Sequence, residues 1–199
     1  MWHAFRFSVR CVGLLAVTLA AGESTLVPRL TLEQLTASSE YIVVGQVDRS
    51  WSAWDAAHQF IWTHYELQVR EHWKTEAPAA AKIVVSEPGG TVNGVTMRIA
   101  GALPFESGED VLLFLYRTPV GFLRTTGAGQ GKYTIERTDS GEGRVRANLA
   151  QVELVEPARN AAARAISTTP LENYEGLRLS ELKSMLRRMM ERQAQKARQ

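Results

Sequence analysis

Past residue 11 this chain has no cysteine, so neither a disulfide nor a thiolate metal site holds the mature fold, and no thiol nucleophile is available to it. Long apolar runs are missing as well. The uncharged stretch Cys11–Ala21 spans 11 residues, well short of the roughly 20 that cross a bilayer, and no membrane span is expected. Histidine is scarce at four residues, and His58, His64 and His72 are too widely spaced for a pair of ligands on one helix turn. Only His64 with Glu66, two apart on one strand face, could share a metal, and two ligands do not make a metal site. No metal or other cofactor is expected.

The chemistry-bearing motifs are equally sparse. No G-x-S-x-G nucleophile elbow occurs, and Ser107 in Glu106-Ser107-Gly108-Glu109 reads as a turn residue. Gly127–Lys132 (G-A-G-Q-G-K) resembles a phosphate-binding loop only superficially: Thr126 stands where the first glycine belongs and Tyr133 where the Ser or Thr belongs. No catalytic residue is assigned, and the chain reads as a non-enzyme. The alternative from the enzyme class is a hydrolase using the surface carboxylates Glu106 and Glu109, or His64, as acid and base.

What the chain does contain begins at its N-terminus. Arg6 and Arg10 precede the uncharged run, and small residues lead to Glu23, the order of a secretory signal peptide over residues 1–22. The expected destination is periplasmic or extracellular. Removing that segment leaves 21 basic and 21 acidic residues, of which seven basic and two acidic fall from Arg178 onward. An acidic body with a basic tail excludes a nucleic-acid groove on the main domain.

Residues 23–156 carry the pattern of a β-rich domain. Thr31-Leu32-Glu33-Gln34 forms a capping box for a helix reaching Ser39. Tyr41–Val47 is a β-branched strand that should break at Asp48, with Gly45 marking a bulge. From Phe60 to Trp73 apolar and polar residues alternate, predicting a long strand with one wet face. A strand over Lys82–Ser86, a hairpin at Asn93-Gly94, and a core strand over Asp110–Tyr116 follow. Leu123–Thr126 and Lys132–Arg137 are expected to pair across the Gly127–Gly131 turn, with a last strand over Arg144–Ala147. Residues 157–176 read as a linker, and 177–199 as a basic amphipathic helix with Leu179, Leu182, Leu186 and Met189 on one face.

This order, with Y-I-V-V-G-Q-V at Tyr41–Val47, F-x-x-G-E-D-V-L-L-F-L at Phe105–Leu115 and G-x-G-Q-G-K-Y at Gly127–Tyr133, resembles the netrin-like and TIMP-like branch of the OB-fold and exported bacterial proteins of the same layout. The resemblance covers residues 38–137 and implies a small β-barrel with terminal helices. It also implies a protease-inhibitor or protease-associated role as an alternative. The inhibitors use a mature N-terminal cysteine that this chain lacks, so that mechanism is not carried over.

The leading expectation is an exported binding module with a protein partner in the cell envelope. Trp51, Trp54 and Trp62 cluster in sequence near His64, and tryptophan faces suit a recognition surface. With them are placed the Gly89–Gly94 loop and the turn residues Gln130 and Lys132.

Overall fold

The computed structural model describes residues 26–75, 79–99, 102–139, 141–147, 153–155 and 174–198. The expected signal segment and nearly all of the expected linker lie outside these. In chain order the elements are β1 (Leu26–Pro28), α1 (Leu32–Ser38), β2 (Tyr41–Trp54), β3 (Ile61–Lys74), β4 (Lys82–Pro88), β5 (Gly90–Val92), β6 (Val95–Met97), β7 (Asp110–Arg117), β8 (Leu123–Thr125), β9 (Lys132–Arg137), β10 (Gly143–Ala147), β11 (Glu153–Val155) and α2 (Leu179–Lys196). The protein is mainly β with a C-terminal helix. Among the described residues no helix is long and apolar enough to cross a membrane.

Seven strands form the main sheet in the order β10-β9-β7-β2-β3-β4-β8, and β8 pairs with β7 as well as with β4. β7 and the first half of β2 are buried on both faces, which is why Tyr41–Val44 and Val111–Leu115 are continuous apolar runs rather than alternating ones. Ile42 and Val44 of β2 join Leu112 and Phe114 of β7 beneath Leu32 and Leu35 of α1 and Leu182 and Leu186 of α2. On the opposite face Val43, Val47, Val111, Leu113 and Leu115 meet Tyr65 and Leu67 of β3, Val85 of β4 and Leu123 of β8. Each fully buried side chain of this size contributes about 1.5–3 kcal/mol, so the two cores together outweigh any surface term.

α1 begins where the capping box places it. Thr31 Oγ1 accepts from Gln34 N–H at 3.1 Å, and Gln34 Oε1 accepts from Thr31 N–H at 2.8 Å. The Asn93-Gly94 turn is also as expected, with φ of 49° and 80°.

β2 does not break at Asp48. The ladder with β3 resumes after a register shift between Val47 and Arg49, so Asp48 is absorbed as an extra residue and its carboxylate accepts from Gln68 Nε2 at 2.9 Å. A second shift falls at Gly45, where a Cβ would lie 2.6 Å from the Gln68 carbonyl oxygen. Hairpin pairing overrides the poor β-propensity of aspartate.

The expected pairing of β8 with β9 is a correction. Both run antiparallel to β7 on one edge, β8 opposite Leu115–Arg117 and β9 opposite Val111–Leu113. They form one interrupted strand, with the Gly127–Gly131 turn looping out between them. Phe114 closes the gap: its carbonyl accepts from Thr126 N–H at 2.9 Å and its N–H donates to Gly131 O at 2.8 Å. A Cβ on Gly131 would come within 2.8 Å of the Phe114 oxygen, so this approach requires glycine.

Two features had no expectation. β1 and β11 form a parallel pair, Leu26 opposite Glu153 through Pro28 opposite Val155. The outer edge of β10 is met by the approach to α2: Gly176 N–H donates to Val145 O, and Val145 N–H donates to Leu177 O.

Candidate functional site

The alternation of β3 carries its side chains to two faces, and the β2 register decides which tryptophans meet. Trp51 lies opposite His64 and Ala53 opposite Trp62, whereas Trp54 lies opposite Ile61. Because side chains alternate along a strand, Trp51, Trp62 and His64 share the outer face and Trp54 points to the other. The structure therefore brings three of the expected residues together and separates the fourth. Trp54 stacks on His58 at the hairpin tip, ring centroids 6.0 Å apart.

Phe122, from the β7–β8 connection, completes the outer cluster. Its ring lies 5.0 Å from Trp62 and 5.7 Å from His64, and His64 is 5.4 Å from Trp51. Guanidinium groups stand at both ends, Arg49 over Trp51 at 5.3 Å and Arg124 over Trp62 at 5.6 Å. The result is a row of six planar groups, cation at each end and aromatic between, supplied by β2, β3, the β7–β8 connection and β8. Trp51 is 40% exposed, and the other rings are partly exposed. Arginine–aromatic stacking leaves guanidinium edges free for hydrogen bonds.

The ion pairs define the charge of this face. Arg49 pairs with Glu66 at 3.0 Å, Lys82 with Glu66 at 2.9 Å, and Arg124 with Glu87 at 3.3 Å. The hydrogen bonds from Lys82 and Arg49 hold the Glu66 carboxyl below the usual range. His64 Nδ1 lies 2.8 Å from Ser86 Oγ, and burial lowers the imidazole below its ordinary value near 6.5. Glu87 is structural: where the single β4–β8 register pair Val85–Leu123 ends, its carboxylate accepts from Thr125 N–H at 2.8 Å.

Gln130 and Lys132 lie elsewhere, in the interior, which corrects their reading as surface binding residues. Gln130 is 1% exposed; it accepts from Leu30 N–H at 2.9 Å and donates to the Pro28 and Gly127 carbonyls at 3.0 Å each. Its amide fastens the N-terminal segment to the glycine turn. Lys132 is 2% exposed, with Nζ 2.6 Å from Pro104 O, 2.9 Å from Glu109 Oε2 and 4.4 Å from the centre of the Phe105 ring. Polar groups in turns read as surface groups only when no strand edge lies beneath them.

The same contacts engage Glu109, one of the two carboxylates of the enzyme alternative. Glu109 also accepts from Thr134 Oγ1 and from Glu106 N–H, and Ser107 Oγ donates to Asp48 O. A cavity of about 700 Å³ opens beside Tyr65, Glu87, Gly90 and Leu103 and joins neither His64 nor Glu109. Among the described residues no group of three metal-ligating side chains occurs.

Sequence reasoning missed Phe122, Arg49 and Arg124. Arg49 was readable, since the alternation Arg49-x-Trp51-x-Ala53 continues the strand beyond Asp48. Phe122 sits in a turn, Thr118–Phe122, where no periodicity points to a partner. Comparison with protein-family models, with curated proteins and with solved structures finds no match.

Proposed function

We propose that this chain is an exported, non-enzymatic binding module that recognises a protein partner in the cell envelope through the outer face of β2 and β3 and the adjoining β7–β8 edge. The observation that carries the reading is the row Arg49-Trp51-His64-Phe122-Trp62-Arg124, because arginine and tryptophan dominate the energetics of protein interfaces. The internal engagement of Glu109, Lys132 and Gln130 supports the same reading, since these polar groups serve the fold. Export rests on the charge order of residues 1–22.

The proposed frame is an OB-like, netrin/TIMP-like barrel. Supporting it, β8 pairs with both β4 and β7, and the inner core draws on β2, β3, β4, β7 and β8 together. Such barrels host many functions, so the site and not the frame carries the argument.

The test is photocrosslinking in cells with a photoreactive phenylalanine analogue at Trp51 and, as a control on the C-terminal helix, at Arg192 of α2. A discrete protein adduct from position 51 that is absent from position 192 is expected. Equal labelling at both positions, or none at 51, refutes the recognition face. Hydrolysis of a peptide, ester or glycoside panel, abolished by alanine at Glu106 or His64, refutes the non-enzyme reading.

A further inference from the structure

A second feature adjoins the aromatic row. A cavity of about 360 Å³ lies between β4 and the β7–β8 turn, and its walls include Ile83, Val84, Phe122 and Leu123, with His64 and Arg117 at the polar side. Its apolar wall is accessible: Val84 is 39% exposed and Val120, in the same turn, 74%.

Arg117 differs from its neighbours. Arg49, Lys82 and Arg124 each pair with a carboxylate, but among the described residues the Arg117 guanidinium has no carboxylate within ion-pair distance. It donates to Gly121 O at 2.9 Å and to Tyr41 Oη at 3.0 Å and lies over the Tyr41 ring at 5.6 Å. Glu40 takes the Arg117 backbone N–H instead. A guanidinium carries five N–H donors, so these two bonds orient the group while leaving donors to spare.

The third component is backbone. β4 meets β8 at a single register pair, Val85–Leu123, so among the described residues no strand runs beside Ile83 and Val84 on that edge. An extended peptide laid there would add a strand, the mode in which main-chain hydrogen bonds give affinity and side-chain pockets give specificity.

Resting on the binding-module reading above, we infer that this cavity holds the C-terminal residue of an extended partner segment. The free carboxylate meets Arg117, and an aliphatic last side chain lies on Ile83, Val84, Phe122 and Leu123. Within a polypeptide, only the chain terminus carries a free carboxylate and an apolar side chain on one carbon, and the cavity sets a guanidinium beside an apolar wall. A charge-assisted, fork-shaped pairing to carboxylate is what arginine supplies and lysine does not.

The test is an NMR titration of the mature chain with N-acetyl-Ala-Ala-Ala-Val as free acid and as C-terminal amide. Shifts at Val84, Leu123 and the His64 ring with the acid, weaker by about tenfold or more with the amide, are expected from the loss of one charged hydrogen-bond pair. Arg117→Gln should weaken the acid by a similar factor. Should that variant fail to fold, Val84→Glu, an exposed change that sets a negative charge at the mouth, carries the same expectation. Equal binding of acid and amide overturns the inference. So does a free short acid, isovalerate, binding as tightly as the peptide, since the strand edge then contributes nothing. Failure here alongside a crosslink at Trp51 refutes the terminus pocket alone; loss of both refutes the face.

Discussion

Replacing Lys132 by Met isolates the physics of the buried pair with Glu109. The methionine fills most of the lysine volume, so the packing against Phe105 survives, but Glu109 loses its only cationic partner among the described residues. Breaking a buried ion pair from one side costs about 3–5 kcal/mol, because the remaining charge is desolvated without compensation. Glu109 is 12% exposed and keeps Thr134 and the Glu106 N–H, which places the cost at the lower end, about 3 kcal/mol. At roughly 2–4 °C per kcal/mol for a domain of this size, the melting temperature should fall by roughly 6–12 °C. Replacing both residues by Met removes the orphaned charge and should recover most of that loss. Urea melts on the two single variants and the double variant measure the coupling. A Lys132→Met variant within 1 kcal/mol of the parent, or a double variant equal to the sum of the singles, would sink the reasoning. Partner crosslinking at Trp51 should persist in the folded fraction, which separates a structural lysine from a binding one.

The remaining predictions concern other contacts. Gln130→Ala removes three hydrogen bonds and should cost about 1–3 kcal/mol, with faster hydrogen exchange at the Leu30 amide; unchanged exchange there would refute the fastening role. Gly90 has φ of 131°, and a methyl group would run into the Thr63 and Ser52 hydroxyls, so Gly90→Ala should destabilise by about 2 kcal/mol or more. His64 should titrate below 6.5 by ring-proton NMR. Since its folded value is depressed, its neutral form contributes stability fully above that ordinary value, and the contribution is lost as pH falls through the folded value. His64→Gln should flatten that slope, and a ring titrating above 6.5 overturns it. Trp51→Ala, at an exposed position, should alter stability by only about 0.5 kcal/mol while weakening partner capture; a large loss of stability would make it a core residue.

Local rules were readable where one local force decides. The alternation of Phe60–Trp73, the positive φ demanded at Asn93-Gly94 and the capping box at Thr31 each depend on a few adjacent residues. The failures are non-local. Asp48 looked like a strand breaker because nothing nearby announces that β3 will carry the ladder past it. β8 and β9 looked like a hairpin because a glycine turn joins them, while their true partner, β7, lies earlier in the chain. Gln130 and Lys132 looked exposed for the same reason: the groups that take their hydrogen bonds, near Leu30 and Pro104, are distant in sequence. Among the tryptophans, clustering in sequence was a poor guide to clustering in space, since a one-residue offset put Trp54 on the opposite face.

The contact between Tyr174–Arg178 and β10 has a consequence for solubility. Unpaired strand edges invite other chains to dock and polymerise, and here the segment leading into α2 occupies the edge of β10 through Gly176 and Leu177. The basic tail thus arrives with its own guard for the sheet. A chain cut before Tyr174 would lose the helix and at the same time uncover Val145 and its neighbours as a template for self-association, so that C-terminal proteolysis would convert a monomer-compatible sheet into an aggregating one.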